Sequence, residues 1–441
     1  MNIAMRLKYT LLLLALCPCL WGRAQEAWTL ERCIAYAQEH NLQIRQSEQQ
    51  VKQQEITVST TRNSRLPGVD GSVSQSFNFG RGLTAENTYV NRNTMSTSFG
   101  LNANVPVFDG GQTTHSLKAQ KLQLQALLAD LDKAREDLSL QVTSEFLEVL
   151  FQQEQLRVAR QQCELSLSQE ERLHRLFDAG KASESEWADA KALVASDRLA
   201  ETQAENSYRL ALLAMSQLLE LPSPEGFEVE APQIPEAGQV TLPLPDAIMA
   251  EAVGIKPSIK AGEYRVRSAE RNILLARTGY FPKLSLGAGL GTNYYHTSGL
   301  STAPFGQQMR DNFSRYVGVS LSVPLFDRLA TRNQMRSARI QLESQRLALE
   351  QTRKEMFKEI QQAYYNAVAA QEQCISASAS EQASGTAFAL MTAKFENGQA
   401  TATEYQEAKT RLFKAQAEGL KARYSFLFRC KIIDFYRGRP L

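Results

Sequence analysis

Histidine is scarce, with four in 441 residues, and cysteine is little commoner at six. His40, His115, His174 and His296 keep no metal-ligand spacing. Neither a Gly-x-Ser-x-Gly elbow, a Walker loop nor a zinc-protease motif occurs, so the sequence points away from an enzyme and calls for no cofactor and no metal. Net charge is nearly absent too. The 49 basic side chains stand against 47 acidic ones, which leaves no electrostatic footprint for nucleic acid. Beyond the first 20 residues no apolar run approaches the roughly 20 residues of a membrane-spanning helix. That excludes a polytopic helical membrane protein and leaves a β-barrel open.

The cysteines divide by compartment. Arg6 and Lys8 precede an apolar stretch from Tyr9 to Leu16, and Gly22-Arg23-Ala24 supplies small residues for signal peptidase, so residues 1–24 read as a signal peptide cleaved before Gln25. A lipoprotein acylated at Cys17 is the rival reading, but Leu16 is bulky where lipidation wants a small residue. Cys33, Cys163, Cys374 and Cys430 remain, scattered and without CxxC spacing. Neither a disulfide scaffold nor a zinc site is indicated. Cys33 and Cys430 lie at opposite ends and are candidates to pair, with buried free thiols the favoured alternative.

Proline is absent from two long blocks of equal size. Pro106 and Pro222 bracket 115 proline-free residues, and Pro324 and Pro440 bracket another 115. Side chains repeat at a shift of 218: Val105-Pro106-Val107-Phe108-Asp109 returns as Val323-Pro324-Leu325-Phe326-Asp327, Phe177-Asp178-Ala179-Gly180 as Phe395-Glu396-Asn397-Gly398, and Ala190-Lys191 as Ala408-Lys409. Upstream the shift is 215, with Arg62 and Leu66-Pro67 matching Arg277 and Phe281-Pro282. The chain is a tandem repeat, with a first copy over 25–221, a second over 246–441, and a connector over 222–245 that holds six of the fourteen prolines.

Within each block the shared break is Gly180 or Gly398, suited to the left-handed position that ends a helix. Each block therefore reads as a helical hairpin, over 112–221 and 329–437. Its first arm, Gln112 to Asp178 or Leu329 to Glu396, is on the order of 100 Å long at ~1.5 Å per residue. Leucines at 117, 124, 131 and 138, echoed by Met335, Leu342, Leu349 and Met356, keep a seven-residue step and predict coiled-coil packing. A single helix from Leu30 to Ser64 is expected to stack on the return arm, Ser183 to Leu221, beside the long one.

Between these helices the period falls to two. Val69, Val73 and Phe77 alternate with Ser72, Ser74 and Ser76, and Phe99, Leu101, Ala103 and Val105 with Ser98, Asn102 and Asn104. The second copy alternates likewise over 284–290 and 317–325, so β-hairpins are expected at 69–107 and 284–325. Gly80-Arg81-Gly82-Leu83-Thr84-Ala85 mimics a dinucleotide fingerprint but precedes no helix, and reads as a turn. Arg81 and Arg92 nearby are candidate contacts for lipopolysaccharide phosphates. Strands apolar on one face and small and polar on the other suit an outer-membrane barrel. A soluble sandwich alternates too, but four strands flanked by such helices would make a poor one. Lipid tolerates no unpaired sheet edge, and four strands cannot close alone. Two chains would give eight strands with a filled interior. Three would give twelve around an aqueous passage, and the trimer is the expected state, its barrel continued by twelve helical columns.

The duplication, Arg62 with Leu66-Pro67, Arg277 with Phe281-Pro282, the paired Pro-Val-Phe-Asp and Pro-Leu-Phe-Asp motifs and the glycine-centred hairpins together resemble the TolC-like outer-membrane efflux protein family, over residues 29 to about 438. The resemblance implies an α+β membrane protein and a homotrimeric exit duct in the outer membrane of a Gram-negative bacterium. Its partners would be outer-membrane lipid, a periplasmic adaptor and an inner-membrane transporter that supplies the energy, with drug or metal efflux ahead of protein secretion. It also implies a gate at the periplasmic tip, where two acidic rings match Glu404 and Glu407 and would favour cations. Thr401-x-x-Glu404 and Ser183-x-x-Glu186 read equally as capping boxes. Glu186 and Asp189 are the first-copy equivalents, and the turns Gly180-Lys181 and Gly398-Gln399 match the region adaptors grip. Where relatives carry a clamping arginine and a tyrosine, this sequence has Ala400 and Phe395. The polar latch therefore reads as missing, with closure resting on apolar packing around Phe395 and on carboxylate protonation. A non-conducting periplasmic adaptor or scaffold would explain the helices but not the strands, and a diffusion porin has no use for the rods.

Overall fold

The computed structural model describes residues 28–83, 87–231 and 237–439. The expected signal peptide, Cys17, Thr84, Ala85 and Pro440 lie outside them. Contacts divide the chain into two compact units, each drawing on both copies of the repeat. One holds the chain up to Glu48 with Leu131–Pro257 and Arg353–Leu441, the other Gln49–Asp130 with Ser258–Thr352.

Element lengths repeat with the sequence. The first copy comprises α1 (Leu30–His40), α2 (Leu42–Asn63), β1 (Gly68–Asn78), β2 (Arg81–Leu83), β3 (Tyr89–Asn91), β4 (Thr94–Phe108), α3 (Gln112–Asp178) and α4 (Glu184–Leu218). The second comprises α5 (Pro245–Ile255), α6 (Pro257–Arg277), β5 (Lys283–Thr297), α7 (Phe305–Asp311), β6 (Ser314–Ser322), α8 (Ala330–Glu396) and α9 (Ala402–Tyr436). Both long helices have 67 residues and both return helices 35.

The expected single helix from Leu30 to Ser64 is broken at Asn41. Asn41 takes an extended ψ of 131°, its N–H still donates to the Ala37 carbonyl, and its side-chain oxygen accepts from the Gln43 N–H at 2.9 Å. One residue thus closes α1 and opens α2, an economy that asparagine's short amide permits. The second copy breaks 215 residues on, at Lys256 with ψ 126°, where Pro257 disfavours helical geometry for the residue before it.

In the helical unit, Phe146, Leu150, Met215, Leu219, Ile248 and Phe426 are at most 2% exposed. Full burial of such a side chain contributes roughly 1.5–3 kcal/mol. Leu131, Leu138 and Met356 of the seven-residue series are also buried there, and Leu342 is buried in the other unit. Cys33, Cys163, Cys374 and Cys430 are all free thiols, and Cys430 packs against a cluster containing Cys374, not against Cys33.

In the other unit one antiparallel sheet runs β1-β4-β5-β6. The two expected hairpins are therefore merged by β4 on β5 across the repeat. Register puts Val105, Leu286 and Val319 on one face with Ala103, Ala288 and Val317, and Ser72, Gly100, Gly291 and Ser314 on the other. β5 pairs with β6 only from Lys283 to Gly291. Above that level α7 covers the edge of β5. Gln308 accepts from the Tyr295 N–H and donates to its carbonyl, at 2.9 and 3.0 Å, and Asn312 donates to the Asn293 carbonyl at 2.7 Å. Side-chain amides stand in for a missing strand. Of the segment read as a turn, Gly80 to Ala85, Arg81–Leu83 form β2, paired with β3, while Gly80 bends the chain at φ +133°.

The recurring Asp of the Pro-x-Phe-Asp motif closes the start of each long helix. Asp109 accepts from the Gly111 N–H at 2.9 Å and the Thr113 N–H at 2.7 Å, and Asp327 from the Thr331 N–H at 2.7 Å. Burial pushes the Asp109 carboxyl up, but the bonds from Thr113 and Gly111 outweigh it and hold it below the usual range. The bonds from Thr331 do the same for Asp327.

Candidate functional site at the hairpin tips

Both tips belong to the helical unit. α3 ends on Gly180 at φ +69°, with its N–H bonded to the Phe177 carbonyl and the Lys181 N–H to the Leu176 carbonyl, each at 2.8 Å. α8 ends on Gly398 at φ +72°, with the matching bonds from Gly398 to Phe395 at 3.1 Å and Gln399 to Lys394 at 2.8 Å. This double closure needs a residue free to turn left-handed, which explains the glycine.

The return helices open on reciprocal caps. Ser183 Oγ accepts from the Glu186 N–H at 3.2 Å while the Ser183 N–H donates to Glu186 Oε2 at 2.7 Å. Thr401 and Glu404 repeat this at 3.3 and 2.8 Å. The backbone N–H of Thr401, then its hydroxyl, hold the exposed Glu404 carboxyl below its ordinary range, and Ser183 does the same for Glu186. Closure through carboxylate protonation would be favoured by a raised value at Glu404. Within the chain the shift runs the other way, because the carboxylate is the partner that the cap requires.

Beside these caps the two hairpins border an open cavity of about 800 Å³ lined by Glu186, Asp189, Phe395, Tyr405, Glu407 and Arg411. Four of the nine candidate residues therefore meet at one space. Glu404 lies outside that lining, and Gly180, Lys181, Gly398 and Gln399 sit in the turns. Phe395 stacks on Tyr405 with centroids 4.7 Å apart, and the Arg172 guanidinium lies 5.5 Å from its ring centre. Tyr405 is buried, and its hydroxyl accepts from Gln169 Nε2 at 3.2 Å. The first copy repeats the stack with Phe177 on Trp187 at 5.2 Å, and Lys191 Nζ lies over Trp187.

A polar connection between the hairpins is present elsewhere than at Ala400 and Phe395, the positions where the sequence lacks the latch. Lys409 of α9 is 1% exposed and Asp197 of α4 is 4% exposed. Lys409 Nζ lies 3.1 Å from Asp197 Oδ2. Ser166 of α3 accepts from Lys409 and donates to Asp197, and Gln162 Nε2 donates to Asp197 Oδ1 at 2.7 Å. Every charge is thereby matched by a counter-charge or a hydrogen bond, the condition for tolerating ions in a core. A signal existed: Ala190, Val194 and Asp197 fall at helical spacing on one buried face, so an acid there needs a partner. The partner's identity required the fold.

Among the described residues no helix is long and apolar enough to cross a membrane, and no cluster of His, Cys, Asp and Glu suits a metal ion.

The fold, with its duplicated hairpins and two-faced sheet, is that of an outer-membrane channel. A family model described as outer membrane efflux protein matches residues 33–220 and 249–428, and the chain belongs to that family. The outer membrane efflux protein BepC of Brucella suis is 24% identical over 333 residues, covering 75% of this chain and 68% of BepC. The pyoverdine export outer membrane protein OpmQ of Pseudomonas aeruginosa is 29% identical over 259 residues, 56% of this chain and 49% of OpmQ. Among solved structures, the open-state MtrE outer membrane channel of Neisseria gonorrhoeae superposes with a TM-score of 0.73 at 20% identity, over 92% of this chain and 88% of MtrE. The protein is an outer-membrane efflux channel of Gram-negative type.

Proposed function

We propose that three copies form a passive exit duct, non-enzymatic and energised by an inner-membrane transporter through a periplasmic adaptor. One observation carries this: the sheet has four strands, and its outer strands β1 and β6 are exposed along their whole length with no partner among the described residues on their far side. Val69, Val73, Val317 and Val319 are 64 to 77% exposed, too apolar a surface to face water. A neighbouring copy on each edge closes a twelve-stranded barrel with this face toward outer-membrane lipid and the serine and glycine face toward the lumen. In this reading Phe395, Glu404 and Glu407 belong to the periplasmic gate. Gly180, Lys181, Gly398 and Gln399, with Glu186 and Asp189 beside them, form the tip that meets the adaptor. Drug or metal export is favoured over protein secretion, since BepC is named an efflux protein. OpmQ is named for export of a small molecule.

Native mass spectrometry from detergent tests the assembly, and a mass of three chains is expected. Planar-bilayer recording tests the duct: discrete channels are expected, and Glu407→Gln is expected to reduce cation preference. A detergent-free monomer without channel events would establish the scaffold alternative instead.

A further inference from the structure

One strand pair departs from the repeat on the face of the sheet that carries the small polar side chains. In the first copy Ser74 of β1 pairs with Ser98 of β4, and at the shifts of 215 and 218 the second copy answers with Gly289 of β5 paired with Tyr316 of β6. Along β6 this face otherwise carries Ser314, Gly318, Ser320 and Ser322. An aromatic ring thus stands in a series of small residues, opposite a residue with no side chain. The ring lies across the sheet: its hydroxyl donates to Asn102 Oδ1 of β4, one strand beyond Gly289, at 3.4 Å. Gly289 is buried beneath it, in a sheet where, among the described residues, Thr297 is the one other buried residue. A Cβ at Gly289 would overlap Tyr316 Cε1 and stand 2.9 Å from both Tyr316 Cζ and Asn102 Oδ1.

Glycine inside a strand weakens it and marks a close approach by another group, and an aromatic ring laid over it restores contacts that the absent side chain would have made. The seat therefore decides where the ring goes. With any side chain at position 289 the ring cannot lie against the wall, and on this face the space above the wall is the lumen of the proposed trimer. Interior-facing side chains decide how much of a barrel's width stays open. We infer that Gly289 and Tyr316 together set the bore of the barrel at their level: the glycine is the seat that keeps the ring flat, and three rings so held leave open a passage that three raised rings would narrow. The ring leans over β5 and β4 of its own chain, away from the far edge of β6, so the seat is complete within one chain. The inference rests on the trimeric reading above and adds to it the residue pair that fixes the width of the membrane-spanning part.

Full-length channels reconstituted in planar bilayers test it, with polyethylene glycols of graded size added to the barrel-side chamber and native mass confirming that each variant remains a trimer. The readout is the largest polymer that still enters and lowers the open-channel conductance. Gly289→Ser is expected to lower that limit by one or more steps of the series. Gly289→Ser with Tyr316→Ser installs the pair that the first copy already uses and is expected to restore the wild-type limit or exceed it. Tyr316→Ser alone is expected to leave the limit no smaller than in the wild type. An unchanged limit in Gly289→Ser, or a lowered one that Tyr316→Ser fails to restore, overturns the inference. Should Gly289→Ser fail to assemble, Gly289→Ala, which adds a single methyl group, is judged by the same two outcomes. Failure of the underlying reading is seen separately, as a wild type that is no trimer or forms no discrete channels.

Discussion

At Leu329 the backbone adopts φ +64°, next to Arg328 at +56°. The corresponding residues of the first copy are Gly110 and Gly111, at +68° and +86°. The path from strand into long helix thus needs two left-handed residues in both copies, and only one copy uses glycine for it. Side chains in this conformation cost roughly 1–2 kcal/mol each, and glycine returns part of that through its greater freedom in the unfolded chain. Leu329→Gly is therefore expected to stabilise the protein by up to about 1 kcal/mol, read as a rise in denaturation midpoint. The caps give a second test at this scale. Thr401→Ala is expected to cost about 1 kcal/mol. Because the folded values of Glu404 and Glu186 lie below the ordinary 4.5, their stabilisation is fully present above that pH and lost as pH falls through the lower folded values. In melting followed by circular dichroism, Glu404→Gln is expected to lower the midpoint at neutral pH and to fall less steeply than wild type below pH 4.5, because the variant lacks both the capping carboxylate and its loss in acid.

The helices and strands were legible where a period or a breaker forces them. Gly180 and Gly398 ended the long arms in the sequence as in the structure, since a C-terminal closure of this kind leaves few alternatives. Gly398→Val, with open space around the added carbons but φ at +72°, is expected to reduce export severalfold while leaving the trimer mass unchanged, and Gly180→Val likewise. The break at Asn41 was not legible, because asparagine within a polar helix has no periodic signature, and its value as a double cap depends on where the chain turns. The pairing of β4 with β5 was hidden for another reason. Alternation shows which face a strand presents but not which strand lies beside it. At the tip, Glu186, Glu404 and the glycines were visible through their spacing, whereas the Lys409 and Asp197 pair joins residues 212 apart, beyond the reach of any local pattern.

For the whole molecule the decisive feature is incompleteness. Among the described residues the four-stranded sheet has two bare edges and an apolar face, and the trimer proposed above is what would complete it. Sequence comparison of Lys191 with Lys409 showed likeness. The structure showed that one is engaged by a carboxylate and the other is not.

Equal arms carry a consequence for how such a gene can change. With 67 residues in each long helix and 35 in each return, losing seven residues from one copy alone would shorten that arm by about 10 Å and leave its loop out of level with its sister. Any lineage that lengthens or trims this protein to suit a thicker or thinner envelope must therefore edit both halves of the gene by the same amount.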